Sequence, residues 1–321
     1  MMKKQNNAND LDLTIDLKVL QPLFATNAYR HAFAMLINWV IIFATIYYCI
    51  QFFNPFTYLL AVIILGARMH ALAILMHDAT HFSFLKKQKW NDLITDFFIT
   101  YPVFTSIAKY RQNHLRHHRH LNSENDPDWV AKLTKREFTF PKTKREFLTT
   151  VFSYLLLFQG AMDAYWFLKR FSGGKKEKDQ KAKKDYARLV FFVLLFTTLT
   201  LTGTWKYYLL FWGIPYLSTF FMFQYIRSVA EHFGELAYDH LLTSTRTVKA
   251  TLIEQFFIAP HNVGYHLEHH LYPGVPFYHL PKLHELLMED ADYGDKAHIT
   301  QGYVRGLLNE LGKVEAQQSV A

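Results

Sequence analysis

Residues 55–81 read PFTYLLAVIILGARMHALAILMHDATH. This stretch joins a long apolar run, from Pro55 to Leu75, to two histidines, His77 and His81, in an H-x-x-x-H arrangement. About twenty apolar residues, at about 1.5 Å of helix per residue, cross the roughly 30 Å hydrocarbon core of a bilayer. The stretch therefore predicts a membrane-spanning helix, about 55–75, with two imidazoles just beyond its polar end.

Three further windows have the same apolar character, at about 33–53, 187–203 and 205–225. A very short turn joins 33–53 to 55–75, and another joins 187–203 to 205–225. The four windows therefore predict two helical hairpins. A fifth apolar run, at about 147–171, precedes a lysine-rich segment, and positively charged loops stay in the cytoplasm. We therefore predict that this fifth run is an interfacial or re-entrant helix that does not cross the membrane.

Four crossings place both ends of the chain and the histidine-rich segments in the cytoplasm. The predicted fold is an all-α integral membrane protein with four transmembrane helices in two hairpins, an interfacial helix and a cytoplasmic helical cap that holds a metal site. We divide the chain into a cytoplasmic N-terminal segment (1–30), a membrane domain (31–300) and a cytoplasmic C-terminal tail (301–321). In a bacterium the membrane would be the inner membrane.

The composition excludes several classes of protein. The 321 residues include a single cysteine, Cys49, which excludes a disulfide scaffold and a cysteine-ligated zinc or iron–sulfur site. With 29 Phe, 19 Tyr and 6 Trp, the chain has enough apolar surface to fold, which excludes disorder. The net charge of +8 follows from cytoplasmic loops, so a nucleic-acid partner is not needed.

Histidine is the unusual residue type in this chain, which contains 17. Besides the pair at 77–81, two groups have the pattern H-x-x-H-H, at 114–118 and 266–270. Residues three or four apart share one face of a helix, so each group can present its imidazoles together. Eight clustered imidazoles are too many for one ion, and two ions with four or five ligands each fit. Imidazole suits zinc, copper, iron or nickel, and redox-active iron is the natural candidate.

The order of these three boxes between two helical hairpins resembles the membrane fatty-acid desaturase family. The resemblance runs from about Arg68 to about Leu286. Flanking residues match too, in Asp126-Pro127-Asp128 and in the Tyr-His-x-Glu-His-His-Leu-x-Pro segment at 265–273. The segment Arg-Ser-x-x-Glu-His at 227–232 is similar to the one that supplies a ninth histidine in the family, although Ser228 stands where the family often has Asn.

The resemblance implies a non-haem centre of two iron ions at the cytoplasmic end of a helical bundle. Such a centre uses O2 and two external electrons to introduce a C=C bond into a lipid acyl chain. The implied metal ligands are His77, His81, His114, His117, His118, His232, His266, His269 and His270, and no other catalytic residue is implied. Residues expected to surround and orient the ligand rings are Asp78, His120, Asp126, Asp128, Glu231, His261, Asn262 and Glu268.

Other chemistries are compatible with the same boxes. A di-iron hydroxylase or ketolase, for instance one acting on carotenoid rings, would share them. An intramembrane zinc metalloprotease needs Glu after the first His of its motif, where this chain has Asp78. Acyl-phospholipid, acyl-thioester, sphingolipid-base and small vinyl-forming substrates all fit the sequence.

The electron donor must be a separate protein. The chain has no His-Pro-Gly-Gly signature of a fused b-type cytochrome and no cysteine set for an iron–sulfur cluster. A ferredoxin, or a b-type cytochrome with its reductase, would therefore dock on the cytoplasmic face, where basic residues could receive an acidic carrier. These residues are Lys86, Lys87, Lys89, Lys109, Arg111, Arg116 and Arg119.

Overall fold

The computed structural model describes residues 15–172 and 185–312, and these are mostly helical. The helices are α1 (Leu17–Leu20), α2 (Ala28–Gln51), α3 (Pro55–Ala79), α4 (Gln88–Thr95), α5 (Ile107–Arg119), α6 (Pro127–Leu133), α7 (Lys144–Ser153), α8 (Phe158–Ser172), α9 (Tyr186–Thr202), α10 (Trp205–His232), α11 (Leu241–Ser244), α12 (Leu252–Phe257), α13 (His266–Leu271), α14 (Leu280–Leu287) and α15 (Ala291–Lys296). Two short strands, β1 (Thr247–Val248) and β2 (Ile299–Thr300), pair in parallel.

Short stretches of other helix types connect or interrupt these elements. The 3-10 stretches are Gln21–Phe24, Arg136–Phe138, Tyr154–Leu156, Pro260–Asn262, Phe277–His279 and Leu307–Asn309. The π-helical stretches are Asp96–Thr100, Leu209–Gly213, Tyr216–Phe220 and Gly302–Gly306, and the middle two lie inside α10.

Three helices, α2, α3 and α10, are long and apolar enough to cross a membrane. They match three of the four predicted spans, but α10 continues to His232, well beyond the predicted end at 225. The remaining predicted span, 187–203, corresponds to α9, which has 17 residues. At about 1.5 Å per residue α9 is roughly 25 Å long, somewhat shorter than the hydrocarbon core of a typical bilayer.

The apolar run predicted at 147–171 forms two helical pieces that meet at a sharp bend. Lys144–Leu156 and Phe158–Lys169 make an angle of 82°. Leu157 lies between them with a left-handed backbone conformation (φ 66°), which turns the chain. The run therefore does not form one straight crossing. The lysine-rich segment used to predict its position lies mostly outside the described residues, at 173–184.

The first hairpin turns at Asn54 and Pro55, as the sequence predicted. The Asn54 side chain accepts hydrogen bonds from the backbone N–H groups of Phe56 and Thr57, and Thr57 returns a contact to the Asn54 backbone. Pro55 occupies the first turn of α3, where its missing N–H costs nothing. This N-terminal cap begins α3 directly after α2, so the two helices lie side by side.

Helix α10 is the central element, and two other helices cross it at glycines. A Cβ atom added at Gly66 in α3 would lie 2.0 Å from Thr219 Oγ1, and one added at Gly160 in α8 would lie 1.6 Å from the Leu217 carbonyl oxygen. Only glycine allows backbones to approach this closely. These crossings bring α3 and α8 against α10, whose last residue is His232.

The packed part of the chain extends past residue 300. Tyr303, Leu307 and Leu311 are buried in the main core, and Arg246, which is fully buried, forms an ion pair of 2.8 Å with Glu310. A second, smaller core cluster supports α13 through Leu267 and Leu271. The main core thus holds residues 303–311, and the smaller cluster holds α13.

The glycine crossing of α8 and α10 is testable. Replacing Gly160 by Ala forces the two backbones apart, and overpacking of this kind costs about 2 kcal/mol in the free energy of unfolding. Gly213→Ala is the matched control in α10, because an added Cβ there would meet its nearest atom at 3.7 Å. We expect a clearly lower melting temperature in detergent for Gly160→Ala alone. Equal melting temperatures for both variants would contradict the close crossing.

Candidate metal centre

Four parts of the fold bring all nine predicted ligands to one place. Helices α3 and α10 end there, while α5 and α13 pack across them. Seven of the nine histidines are buried, and His81 and His118 are half-buried. The nine are His77 and His81 at and after the end of α3, His114, His117 and His118 in α5, His232 in α10, and His266, His269 and His270 in α13.

The first imidazole group consists of His77, His114, His118 and His269. One ring nitrogen of each lies within 4.8 Å of those of the other three. His81 adjoins this group, with its Nε2 atom 2.9 Å from His114 Nε2. The first group therefore offers four nitrogens to one ion, and His81 is placed to add a fifth.

The second imidazole group consists of His117, His232, His266 and His270. Their ring nitrogens also lie within 4.8 Å of one another. His266 Nε2 lies 3.0 Å from the Nε2 atoms of both His232 and His270. Two groups of nitrogens, rather than one, agree with the prediction of two ions.

Each H-x-x-H-H box contributes to both groups. In α5, His117 belongs to the second group and His118 to the first, and in α13 His270 and His269 divide in the same way. Successive residues of an α-helix point about 100° apart, so adjacent histidines face different neighbours. The rings of His118 and His270 stack 4.3 Å apart between centroids and join the two groups. The doubled histidine thus places the two groups side by side.

Six of the nine rings have a lowered pKa, which favours the neutral form that metal ligands need. Burial is the main cause that lowers the pKa values of His114, His118 and His269 well below the usual 6.5, and neighbouring imidazoles lower them further. The same causes act on His266 and His270. Burial lowers the pKa of His81 to about 4. A neutral imidazole keeps a lone pair on one nitrogen, which is available to an ion.

The unsatisfied nitrogens fit a bound cation. His77 Nε2 is buried and has no hydrogen-bond partner within the described residues. Several other Nε2 atoms face each other at 2.9–3.1 Å, as in His118 with His114 and with His269. A cation between such lone pairs would satisfy them together, whereas a buried unpaired polar atom costs about 1–3 kcal/mol. The all-nitrogen donor set fits iron, zinc, copper or nickel.

Asp126 orients one ring of the second group, as expected. His117 Nδ1 donates to Asp126 Oδ2 over 2.7 Å, which leaves Nε2 of His117 free to face the group. The other oxygen of this fully buried carboxylate accepts the backbone N–H groups of Asp128 and Trp129 at the start of α6. Asp126 therefore links the position of α6 to the orientation of a candidate ligand.

Glu231 is the second expected carboxylate that lies beside a ring. Its Oε1 atom is 3.4 Å from His266 Nδ1 and accepts a 2.5 Å hydrogen bond from Arg227 Nε, one helical turn earlier. Arg227 was not among the predicted site residues. The i, i+4 spacing of Arg227 and Glu231 in α10 was the available signal for this pair.

Two other expected carboxylates make their hydrogen bonds with groups other than the nine rings. Asp78 accepts from the Ser83 hydroxyl and from the Phe277 backbone N–H, and it lies 3.4 Å from His31 Nδ1. Glu268 accepts from the hydroxyls of Thr247 (2.7 Å) and Tyr293 (2.9 Å) and contacts His284. Each carboxylate is one residue from a candidate ligand, so helical geometry turns it to another face. Both hold neighbouring segments in place, and an influence on the rings next to them in sequence stays a prediction.

The remaining expected neighbours also contact other groups or lie at helix ends. His261 Nε2 is 3.0 Å from Asn38 Nδ2, and Asn262 donates to the Phe277 carbonyl oxygen over 3.0 Å. His120 ends α5, and Asp128 lies in the first turn of α6. The structure thus brings Asp126 and Glu231 into contact with candidate ligand rings.

Arg111 does not belong to the predicted basic docking surface. It is buried, pairs with Asp92 through contacts of 2.6 and 2.9 Å, and donates to the Thr80 carbonyl oxygen. His31 and His284, which looked unremarkable in the sequence, are buried beside Asp78 and Glu268. No local spacing connects these partners, so only the folded chain reveals them.

A cavity of about 960 Å3 lies beside the second imidazole group. Four candidate ligands reach its wall, which parts of α5, α6, α8, α10 and α13 form. These ligands are His114, His117, His232 and His266. Aromatic side chains cover much of the remaining wall, and they include Tyr110, Phe138, Trp166, Phe167 and Phe221. The cavity can therefore bring the apolar part of a molecule next to the candidate metal ligands.

Comparison with known proteins gives one consistent family. The sequence profile described as "Fatty acid desaturase" matches residues 53–302. The chain is 30% identical over 263 residues to the dihydrorhizobitoxine desaturase of Bradyrhizobium elkanii, covering 78% of this chain and 73% of that protein. It is 24% identical over 251 residues to the sn-1 oleoyl-lipid 12-desaturase of Anabaena variabilis, covering 74% and 70%. It is 25% identical over 234 residues to the sn-1 acyl-lipid omega-3 desaturase (ferredoxin) of Nostoc sp. (strain 36), covering 69% and 65%.

The matched region contains all three histidine boxes and His232. Since the profile covers well over half of the chain, the chain belongs to the fatty acid desaturase family and is an oxidoreductase. The family resemblance seen in the sequence is confirmed. The three apolar helices agree with the membrane-bound character of the family.

The hydrogen bonds that Glu268 accepts lead to a stability prediction. Glu268→Ala would leave the hydroxyls of Thr247 and Tyr293 and the ring of His284 without their acceptor. Losses of this kind cost about 1–3 kcal/mol each, so we expect the free energy of unfolding to fall by about 3 kcal/mol. The exposed Glu289→Ala provides the control, and melting in detergent is the measurement. If both variants have the same melting temperature, Glu268 does not stabilise the position of α13.

Proposed function

We propose that this member of the fatty acid desaturase family introduces a C=C bond into the acyl chain of a lipid, at two iron ions held by its nine clustered histidines. The observation that carries the proposal is the pair of imidazole groups beside one large cavity. One group offers four or five nitrogens and the other offers four. A single zinc ion, as in a metalloprotease, needs only three or four ligands.

The names of the relatives support desaturation in every case and an acyl lipid in two cases. The proteins from Anabaena variabilis and Nostoc are named for acyl-lipid substrates, and the protein from Bradyrhizobium elkanii for dihydrorhizobitoxine. An apolar chain also suits the aromatic part of the cavity wall. We therefore favour an acyl chain as the part of the substrate that reacts.

The residues of this chain would hold, orient and shield the ions. The first imidazole group with His81 would bind one iron, and the second group would bind the other. When bound, iron supplies the reduction of O2 and the removal of hydrogen from carbon. Asp126 fixes the ring of His117 through its Nδ1 hydrogen bond. Burial of the rings would keep water away from the ions. The substrate would reach them through the cavity.

The balance of the reaction requires a separate source of electrons. Removing two hydrogens from adjacent carbons and reducing O2 to two waters consumes two electrons and two protons. We propose that a ferredoxin or a b-type cytochrome supplies the electrons, and one relative carries ferredoxin in its name.

The exposed side of α5 is suited to receive such a carrier. Arg116 and Arg119 are exposed on this helix, whereas His114 and His117 on the same helix are buried at the site. The thickness of one helix, about 10 Å, thus separates the surface from the candidate ligands. The neighbouring exposed lysines of the basic surface are Lys86, Lys87, Lys89 and Lys109.

We retain the proposal of four crossings, with α9 as a short fourth span beside α10. In that arrangement the metal centre, the basic surface and both chain ends lie on the cytoplasmic side. The proposed divisions at residues 30 and 300 follow the same topology, with the packed residues 302–311 forming the base of the C-terminal segment.

Metal content and product together test the proposal. The purified protein should contain about two iron ions per chain, and His269→Ala should lower that content to about one, because it removes a nitrogen of the first group. Iron should also be released in acid, since protons compete for imidazole. In a host that expresses the chain, mass spectrometry of total lipids should show a new unsaturated species that is missing with His269→Ala.

Controls separate the possible outcomes of this experiment. His279→Ala removes a histidine outside the two groups and should keep both iron and product. A ferredoxin with its reductase is supplied in a repeat, so that a missing donor does not hide activity. Hydroxylated or keto products would show that the protein inserts oxygen instead of forming a double bond. One zinc ion per chain, with no product, would contradict the proposal.

The docking surface leads to a separate kinetic prediction. Arg119→Glu reverses an exposed charge on α5, so with an acidic ferredoxin the apparent KM for the donor should rise about three- to tenfold at low salt. The rate at saturating donor should change little. Lys282→Glu, on α14, is the matched charge reversal elsewhere on the surface and should leave this KM unchanged. A turnover that is insensitive to ionic strength in the unmodified protein would contradict electrostatic docking.

A further inference from the structure

Residues 88–106, between the first and second histidine boxes, form a hairpin that runs back along the long apolar helices. Asn91, in α4, donates a 3.0 Å hydrogen bond to the carbonyl oxygen of Ala79, the last residue of α3. Two helical turns later, the Phe98 carbonyl oxygen accepts a 3.1 Å hydrogen bond from Trp39 Nε1. Trp39 lies at the middle of α2, about 17 Å from either end of that helix. The hairpin therefore extends well inside the bilayer core, which is about 30 Å thick.

Side chains of other helices satisfy the backbone at the turn of the hairpin, residues 101–104. The chain reverses at Phe104, which has a left-handed conformation (φ 65°). Three successive carbonyl oxygens accept hydrogen bonds of 2.9–3.2 Å from α9 or α10, namely Pro102 from Trp212, Val103 from Tyr216 and Phe104 from Arg188. Hydrocarbon offers no partner to a backbone group, so irregular backbone persists at this depth only where protein groups bind it. The turn meets that requirement.

The outward side of the hairpin is apolar. Between residues 90 and 106, a range that the structure describes completely, the exposed side chains are Trp90, Leu93, Phe97 and Phe98, at 40–51% exposed. Polar side chains of the same range are buried or half-buried, such as Asp96, which accepts the Ile107 backbone N–H over 2.7 Å. By contrast, α14 exposes Lys282 and Glu285. The outward side of the hairpin is therefore suited to an apolar environment.

The neighbouring helices continue this apolar surface, which identifies the bilayer as its partner. Val40, next to Trp39 in α2, is exposed, and the Phe97 ring lies 5.3 Å from the ring of Phe191 in α9. Trp90 marks the other end of the surface, and tryptophan is typical of the boundary between hydrocarbon and head groups. Lysines near such a boundary extend to the head groups. The exposed lysines just before Trp90 are Lys86, Lys87 and Lys89.

We propose that residues 88–106 form a re-entrant membrane hairpin whose outward side contacts the acyl chains of bilayer lipids. Trp90 lies at the boundary of the hydrocarbon, and Phe97 and Phe98 lie deepest. The returning arm continues into α5, which carries the second histidine box, so contact with the bilayer helps to hold that helix against the other ligands. The segment between the first two boxes thus belongs to the membrane domain rather than to the cap. This inference does not depend on the reaction proposed above.

Spin labels measure the depth of the hairpin directly. In a Cys49→Ser background, which removes the single native thiol, Lys89→Cys, Leu93→Cys and Phe98→Cys each receive one nitroxide. The full chain is placed in phospholipid vesicles, and collisions are measured with O2, which concentrates in hydrocarbon, and with a water-soluble nickel complex. We expect the ratio of O2 to nickel collisions to rise severalfold from Lys89 to Leu93 and again to Phe98. At Phe98 it should reach the ratio of Val40→Cys, on the exposed side of α2.

Controls and alternative outcomes complete the test. Glu285→Cys, exposed on α14, provides the water-facing reference, and Phe97→Cys replaces Phe98→Cys if the latter lowers the melting temperature. A label at Phe98 that the nickel complex reaches as easily as the one at Glu285 overturns the proposal. Equal ratios at Lys89 and Phe98 also overturn it, because the helix would then lie flat at the membrane surface. Exclusion of both reagents at Phe98 would identify a second copy of the chain as the partner, in place of lipid. The measurement needs neither bound metal nor turnover, so its outcome is independent of the test of the proposed function.

Discussion

The burial of nine imidazoles at one place is the constraint on which the rest of the structure depends. A buried ring nitrogen without a partner is unfavourable, and His77 Nε2 is such an atom within the described residues. Several other Nε2 atoms face each other at about 3 Å. The fold accepts this arrangement because α3 and α10 end at the site and α5 and α13 pack across them. Cations at the two imidazole groups would satisfy the nitrogens together, which makes metal binding and folding of this region linked events.

Charged residues around the centre divide into those that orient rings and those that hold helices. Asp126 contacts His117 and also caps α6, so one carboxylate couples the wall of the cavity to the second imidazole group. Glu268 faces the opposite side of α13 and ties it to Thr247 and Tyr293.

The predictions from sequence succeeded where the information was local. The spacing of the histidines along helices predicted that each box presents its imidazoles together, and it explains why His117 and His118 fall into different groups. Apolar runs located α2, α3 and α10. The same reasoning placed Arg111 on the exposed basic surface and did not find the hydrogen-bond partners of Asp78 and Glu268, because nearness in sequence does not fix the direction of a side chain.

The sequence by itself determined the helical membrane class and the histidine pairs that share a helix face, since helical periodicity and apolar length act over a few neighbouring residues. Its motifs also carried the resemblance to the family. Only the tertiary structure decided which carboxylate meets which ring, that Arg111 is buried against Asp92, and that His284 lies beside Glu268. It also decided that four of the candidate ligands line one cavity. These contacts join residues of different helices, and their partners are set by how the helices cross, as at Gly66 and Gly160, rather than by any local spacing.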